Sequence, residues 1–234
     1  PIEKKPFMHF LPGVDALTFG MLGCNFHCDF CQNWVSSQAL RDPASEGSGA
    51  YIQEVSPREL VDYALQSGAR IIASSYNEPL ITSEWAIEIF KLAQQAGLRT
   101  VYVSNGFATP EVLHALRPVL DGYKVDLKCM TDDKYRSLGG RLQTVLDTIQ
   151  LAHDLGMWVE VVTLVIPGFN DGNDELWESA RFLVSVSPDI PWHVTSFYPT
   201  YKHLEGERTS AEILQRAAEI GQEAGLKYVY AGNL

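Results

Sequence analysis

The sequence alternates between apolar, β-rich runs and amphipathic runs over almost its whole length. This alternation is typical of repeated strand–helix units built around a parallel sheet. Several β-rich runs are nearly continuous in Val, Ile, Leu and Tyr, which indicates strands covered on both faces. The strand candidates are residues 16–22, 69–76, 99–105, 123–128, 158–167, 192–198 and 227–232. The pattern therefore predicts an α/β protein with six or seven strand–helix units.

The predicted helices begin and end at recognisable signals. Ser56 is placed as an N-cap, with Pro57 at the first helical position and Glu59 at the capping-box position, and Gly68 ends the run. Similar signals predict helices within residues 82–97, 109–120, 171–186 and 209–225. The connection over residues 36–55 is rich in Gly, Ser and Pro and is predicted to be a long surface loop.

Composition narrows the possible classes of protein. With 234 residues and 46% hydrophobic content, the chain can bury a full core as one domain spanning residues 1–234. A net charge of −11 without a Lys/Arg run argues against nucleic-acid binding. No apolar run approaches the roughly 18 residues that cross a bilayer, and the N-terminus lacks the apolar core of a signal peptide. We therefore predict a cytoplasmic protein without a membrane partner, in which clustered cysteines bind metal or act in redox chemistry.

Three of the four cysteines fall within eight residues, in the stretch "GCNFHCDFCQNW". Cys24, Cys28 and Cys31 follow a C-x3-C-x2-C spacing on the loop that leaves the first predicted strand. Three thiolates can bind three irons of a cubane cluster and leave the fourth iron open, whereas electron-transfer clusters bind every iron through protein ligands. Catalytic zinc sites likewise keep one position for the reactant. Cys129, almost a hundred residues away, is interpreted as structural.

Three alternatives compete for these cysteines. His27 with the three cysteines could form a closed zinc site, but adjacent His27 and Cys28 would reach one tetrahedral ion with difficulty. The "CDFC" dithiol could be a thioredoxin-like redox pair, although that motif normally opens a helix without a third upstream cysteine. Burial as unreactive thiols does not explain this spacing in a polar loop.

Polar residues stand where the later strands are predicted to end. They are Asn77, Glu78, Ser104, Asn105, Asp126 and Lys128, followed by the regions of Pro167 and Tyr198. Because active sites of parallel α/β folds are assembled at the carboxyl ends of the strands, we expect these residues to share a site. Local alternatives remain for some of them. Glu78 could be a carboxylate at a helix start, and Asn105 before Gly106 could simply mark a turn.

The C-x3-C-x-aromatic-C pattern, with Phe30 before Cys31, resembles the signature of radical S-adenosylmethionine enzymes. The segments "CNFHCDFCQNW", "YNEP", "SNGF", "DLK" and "IPGFND" most resemble the radical enzyme of the AmmeMemoRadiSam system, which is kin of the pyruvate formate-lyase activating enzymes. The resemblance implies a partial (β/α)6 TIM-type barrel of parallel strands with the cofactor at their carboxyl edge. Such proteins usually carry segments before and after the part matched here, so we interpret residues 1–234 as the catalytic core.

The resemblance also implies a cofactor set and an activity. A [4Fe-4S] cluster on Cys24, Cys28 and Cys31 would bind S-adenosylmethionine at its open iron. Reduction by a donor such as flavodoxin or ferredoxin would cleave S-adenosylmethionine to methionine and a 5'-deoxyadenosyl radical. The radical would then abstract hydrogen from a protein or small-molecule substrate. The alternative from another class is a non-catalytic iron–sulfur or zinc protein that transfers electrons or organises a partner.

Further residues receive cofactor-binding roles by the same resemblance. Phe30 matches the aromatic residue beside the adenine, and Asn77 and Glu78 match the acceptors of the cofactor's amino group. A carboxylate in that position would form a charge-assisted hydrogen bond. Ser104 and Asn105 match residues that contact the ribose or the methionyl group.

Asp126 and Lys128 match the "DLK" of the activating enzymes, where this strand end contributes to the cofactor and to a nearby cation site. Their spacing places both on one face of a strand. Val103 stands where the activating enzymes have an acid, which argues against a monovalent-cation site. Ile166 is a predicted apolar neighbour of the adenine. The residues His193, Tyr198 and Lys202 are candidates to face substrate, with packing or surface roles as equal alternatives.

Overall fold

The computed structural model describes residues 1–46 and 52–233 and contains a seven-stranded sheet in which neighbouring strands along the chain pair in order. The strands are β1 (Ala16–Phe19), β2 (Ile71–Ser74), β3 (Arg99–Ser104), β4 (Gly122–Asp126), β5 (Trp158–Val165), β6 (Trp192–Ser196) and β7 (Val229–Gly232). All six pairings are parallel. Because β1 and β7 are the two edges, the sheet is an open, partial TIM-type barrel. The predicted α/β fold class is confirmed, and each of the seven strand candidates overlaps one observed strand.

Helices connect these strands. They are α1 (Trp34–Ser37), α2 (Pro43–Glu46), α3 (Pro57–Gln66), α4 (Ser83–Gln95), α5 (Pro110–Leu116), α6 (Asp132–Ser137), α7 (Leu142–Asp154), α8 (Asn173–Val186) and α9 (Ala211–Ala224). The helices predicted individually are confirmed as α3, α4, α5, α8 and α9. None of the helices within residues 1–46 and 52–233 combines the length and the apolar character needed to cross a membrane.

The prediction of a continuous surface loop over residues 36–55 is wrong in part. α1 extends into its first residues and α2 forms inside it. Pro43 begins α2, and the Asp42 carboxylate accepts a hydrogen bond from the Ala44 backbone N–H at 3.0 Å. A fixed proline φ and an aspartate cap favour a helical turn even in a Gly/Ser-rich segment. The remainder of that prediction includes residues 47–51, which lie outside the described residues.

Side-chain alternation along the strands separates an outer, apolar core from an inner, polar face. On β4, Tyr123 and Val125 belong to the large core between sheet and helices, whereas Lys124 and Asp126 line the interior. The N-terminal segment covers the amino end of this interior. Buried Phe7 of that segment packs with Ile71 of β2 in a second, smaller apolar cluster. The sheet interior is therefore closed at its amino end and polar above it.

Glu160 of β5 binds the N-terminal segment to the sheet. Its fully buried carboxylate accepts hydrogen bonds from the backbone N–H groups of Met8 at 2.9 Å and His9 at 3.0 Å. The same carboxylate also forms hydrogen bonds with the ring nitrogens of Trp158, at 3.0 Å, and His193, at 2.7 Å. Burial alone would raise the pKa of Glu160, but these hydrogen bonds outweigh it and hold the pKa below its ordinary value.

We expect Glu160→Gln to lower the free energy of unfolding by about 2–3 kcal/mol, because an amide group would direct N–H donors at existing donors. Urea unfolding measures the loss, with Glu219→Gln, a change at a partly exposed position of α9, as control. The folded-state pKa of Glu160 is depressed, so its contribution is present above the unfolded pKa and is lost as pH falls through the folded value. The difference between wild type and Glu160→Gln should therefore shrink in acid. Equal stability of the two proteins at neutral pH would contradict this account.

Candidate active site

A cavity of about 530 Å³ opens inside the barrel and reaches the carboxyl ends of the strands. Ten of the eleven predicted site residues line it: Cys24, Cys28, Phe30, Cys31, Asn77, Glu78, Ser104, Asn105, Asp126 and Lys128. They come from the loops or ends that follow β1, β2, β3 and β4. The expectation that the strand-end residues share one site is met for these ten, while the role of each remains a prediction.

Ile166, the eleventh predicted residue, does not line the cavity. It is buried directly after β5, where its backbone N–H donates a hydrogen bond to the side-chain oxygen of Asn170 at 2.7 Å. The Asn170 side-chain amide in turn donates to the backbone oxygens of Lys128 and Leu164 at 2.7 and 2.8 Å. The "IPGFND" segment therefore fixes the end of β4 against the end of β5 through Asn170, a role that the sequence analysis missed.

The three residues predicted as candidates to face substrate also differ in whether they line the cavity. His193 lines the cavity, whereas Tyr198 is exposed. Lys202 forms an ion pair with Asp42 at 2.9 Å, between the segment after β6 and the loop before α2. Lys202 therefore connects two loops, and His193 is the member of this group that faces the interior.

The cysteine loop is held by polar contacts to its sulfur atoms. The Cys24 Sγ accepts a hydrogen bond from the Phe26 backbone N–H at 3.3 Å, and the Cys31 Sγ lies 3.1 Å from the hydroxyl of Ser37. Burial is the main cause that raises the pKa of Cys24 to about 11 and that of Cys28 to about 12. Without metal, the Cys24 and Cys28 thiols are therefore protonated at neutral pH, and metal loading must release their protons.

The thiol set fits an iron–sulfur cluster better than a single ion. Within residues 1–46 and 52–233, no three His, Cys, Asp or Glu side chains are arranged to hold one metal ion. His27 is exposed and lies against Gly139, so it does not complete the closed zinc site considered above. Three thiols that line one cavity can each bind a different iron of a cubane cluster.

A pair of glycines after α6 supports the cysteine loop from behind, a feature that the sequence analysis missed. The His27 backbone N–H donates a hydrogen bond to the Leu138 backbone oxygen at 2.9 Å. A Cβ atom on Gly140 would stand 2.5 Å from the Phe26 ring, so only glycine allows that ring its place. Gly139 has a φ of +96°, which also favours glycine. In the sequence, the adjacent glycines in "SLGGR" were the signal that could have indicated this close packing.

We expect Gly140→Ala to displace Phe26 and, with it, the backbone between Cys24 and Cys28. Overpacking of this kind destabilises a protein by about 1–3 kcal/mol, and here the displaced segment carries two predicted ligands. Iron content after anaerobic reconstitution should therefore fall well below that of wild type. Gly172→Ala is the control, because its Cβ would meet no atom within 4 Å. Wild-type iron content in Gly140→Ala would refute this role.

Glu78 joins the ends of β2 and β3 into one hydrogen-bonded unit. Its Oε1 accepts hydrogen bonds from the Ser104 hydroxyl at 2.7 Å and the Leu80 backbone N–H at 3.0 Å. Its Oε2 accepts from the Asn105 backbone N–H at 2.7 Å. Glu78 thus caps the short 3-10 helix Pro79–Thr82 and lines the cavity at once, while its contact with the cofactor stays a prediction. Burial is the main cause that raises its pKa to about 7.

Asn residues extend this unit toward the cysteine loop. The Asn105 side-chain amide donates a hydrogen bond to the side-chain oxygen of Asn25 at 2.7 Å, next to Cys24. The Asn77 side-chain oxygen accepts from the Met21 backbone N–H at 2.9 Å. The ends of β1, β2 and β3 are therefore fixed relative to one another by side chains that line the site.

Asp126 lies between two lysines of the same strand face. Its Oδ1 is 2.7 Å from the Lys124 Nζ, and its Oδ2 is 2.8 Å from the Lys128 Nζ. Burial would raise the pKa of Asp126, but the two ammonium groups hold it well below its ordinary range. The predicted common face of Asp126 and Lys128 is confirmed. Lys124 was missed, although its position two residues before Asp126 places it in the same row.

Comparison with known proteins identifies the family. The model of the Radical SAM superfamily matches residues 19–183. An uncharacterized protein of Methanocaldococcus jannaschii is 36% identical over 235 residues, which cover all of this chain and 68% of that protein. A pyruvate formate-lyase-activating enzyme of Clostridium pasteurianum is 22% identical over 75% of this chain and 71% of its own. The structure of a radical SAM methyltransferase from Sphaerobacter thermophilus superposes with a TM-score of 0.69 at 17% identity, over 96% of this chain and 68% of that one.

The chain belongs to the Radical SAM superfamily and is related to the pyruvate formate-lyase activating enzymes. It is a radical S-adenosylmethionine enzyme, and its cofactors are a [4Fe-4S] cluster and S-adenosylmethionine. Its reaction begins with cleavage of S-adenosylmethionine to generate a 5'-deoxyadenosyl radical.

Proposed function

We propose that Cys24, Cys28 and Cys31 bind the cluster and that its open iron faces the cavity. The observation that carries this proposal is that the three thiols line the same cavity as the unit built on Glu78. Cys129 is buried and its Sγ lies 3.6 Å from the Thr131 backbone oxygen, so it has a local partner of its own. Cys129 is therefore not a ligand in this proposal.

The remaining strand-end residues would orient S-adenosylmethionine. Glu78 is held by three donors and presents a fixed acceptor for the cofactor's amino group. Lys128, held by Asp126, offers a cation to the cofactor's carboxylate. Phe30 is buried, lies 5.4 Å from the Phe169 ring and supplies an apolar surface for the adenine. When bound, the cluster supplies the electron that cleaves the sulfonium, and these residues place the reactive carbon and exclude water.

We further propose that the chain is the catalytic core of an AmmeMemoRadiSam-type radical enzyme that abstracts hydrogen from its substrate. The supporting observation is the set of motifs "YNEP", "SNGF", "DLK" and "IPGFND", whose Asn77, Glu78, Asn105, Lys128 and Asn170 fix the strand ends to one another or line the site. A cytoplasmic flavodoxin or ferredoxin is the proposed electron donor.

Electron paramagnetic resonance tests the open-iron proposal. The protein is reconstituted anaerobically with iron and sulfide, reduced, and measured with and without S-adenosylmethionine. We expect the signal of the reduced cluster to change on addition, because the cofactor binds directly to iron. An unchanged signal would indicate a closed cluster of the electron-transfer type, and colourless protein with one zinc would refute the cluster altogether.

A further inference from the structure

The cavity extends past the predicted cofactor residues to a floor near the amino ends of the strands. On β4, Lys124 lies two residues before Asp126. Lys124 is therefore about 7 Å nearer the floor than Asp126. His193 of β6 and Lys5 of the N-terminal segment line the same cavity. We call Lys5, Lys124 and His193 the floor group. None of the three has a role in the cofactor binding proposed above.

Lys5 is a half-buried cation held in place by other contacts of its segment. Its Nζ lies 3.6 Å from the centroid of the Tyr76 ring. The nearby backbone is fixed by the hydrogen bonds that Met8 and His9 donate to Glu160. Burial, and secondly the charge of Lys124, lower the pKa of Lys5 to about 8. Two ammonium groups from distant parts of the chain thus share one cavity.

The carboxylates nearby are already engaged by other donors. Glu160 already accepts four hydrogen bonds, and Asp126 is shared between Lys124 and Lys128. Among the described residues that line the cavity, the lysines are Lys4, Lys5, Lys124 and Lys128, and the acids are Glu3, Glu78 and Asp126. With the buried Glu160 behind His193, acids and lysines are equal in number, but Lys5 has no carboxylate partner among the described residues. A partly buried ammonium group without a carboxylate partner favours an anionic ligand.

His193 adds a directional group beside the two cations. Its Nε2 lies 2.7 Å from the Glu160 carboxylate, and its ring stacks on Tyr230 with 5.3 Å between centroids. These contacts fix the imidazole plane and leave Nδ1 as the nitrogen that can form a hydrogen bond with a ligand. Glu160 acts here as a positioning residue, because one carboxylate holds both His193 and the segment that carries Lys5.

We propose that the floor group binds the anionic group of a small-molecule substrate, in its simplest form a carboxylate, between Lys5 and Lys124 and beside His193. This inference rests on the proposed function, because the substrate must lie next to the bound cofactor. The floor is closed by the N-terminal segment and lies below the cofactor residues, so a small molecule reaches it more readily than a loop of a folded protein.

Equilibrium dialysis tests the proposal on the reconstituted full chain with S-adenosylmethionine and without reductant, so that binding is measured apart from turnover. The probes are a panel of small aliphatic and aromatic carboxylic acids, each paired with its primary amide. We expect at least one acid to bind while its amide does not. Lys5→Met and Lys124→Met should each weaken that binding by about tenfold or more, since each removes a charged hydrogen-bond donor. Lys227→Met is the control, because Lys227 is exposed and pairs with Asp189.

Binding of no acid above its amide would overturn the proposal, and so would wild-type affinity in both lysine variants. Lys5 lies outside the sheet, so Lys5→Met keeps the test decisive if Lys124→Met does not fold. Failure of the proposed function has a different signature. In that case the wild-type protein would lack the spectral response to S-adenosylmethionine, whatever the dialysis shows.

Discussion

Alanine in place of Cys24, Cys28 or Cys31 is expected to abolish the intact cluster, and with it the cleavage of S-adenosylmethionine. Each of these thiols lines the cavity. A cubane cluster held by only three protein ligands is not expected to stay bound when one of them is removed. Iron content, sulfide content and 5'-deoxyadenosine formation should all fall to the level of unreconstituted protein.

Cys129→Ala is the matched control, because it removes a thiol of the same chain that is buried away from the loop. It should retain cluster and cleavage close to wild type. Loss of the cluster in Cys129→Ala together with its retention in a Cys24, Cys28 or Cys31 variant would overturn the ligand assignment.

Glu78→Gln is expected to weaken S-adenosylmethionine binding by roughly tenfold to a hundredfold while leaving iron content unchanged. Both carboxylate oxygens accept hydrogen bonds from protein donors, so an amide would oppose one of these donors as well as the cofactor's amino group. Binding is measured on the reconstituted, unreduced protein, with Glu84→Gln on the exposed side of α4 as control. Equal loss of iron and of cofactor binding would instead indicate a structural role for Glu78.

The raised pKa of Glu78 adds a pH dependence to this result. With a pKa of about 7 in the ligand-free protein, a large part of the Glu78 population is protonated below neutral pH. Only the ionised form offers two acceptor oxygens, so affinity for S-adenosylmethionine should rise as pH increases through about 7. Glu78→Gln should lack this rise. An identical pH profile in both proteins would exclude Glu78 as its source.

Local patterns predicted the strands, the main helices and most of the site. Ser56 and Glu59 form the predicted capping box, with each side chain bonded to the other residue's backbone N–H. Residues such as Glu78 and Asn105 could be placed at the site because parallel strands bring their carboxyl ends to one edge. This rule requires only that strands be recognised, which their apolar runs allow.

Contacts between distant parts of the chain could not be predicted in this way. The hydrogen bond from Met8 to Glu160 joins residues separated by 152 positions, and no local pattern specifies it. No local pattern therefore predicted that Lys5 faces the barrel interior, although the N-terminal segment forms the floor of that interior. The packing of Phe26 on Gly140 is also nonlocal, and the adjacent glycines indicated only a special backbone.

Product analysis tests most directly the claim that this chain cleaves S-adenosylmethionine at an open iron held by three cysteines. The reconstituted protein is incubated anaerobically with reductant and S-adenosylmethionine, and the products are separated by chromatography. We predict that methionine and 5'-deoxyadenosine appear together, depend on the reductant and vanish in Cys28→Ala. Formation of 5'-methylthioadenosine instead, or no cleavage by protein with a full cluster, would contradict the account.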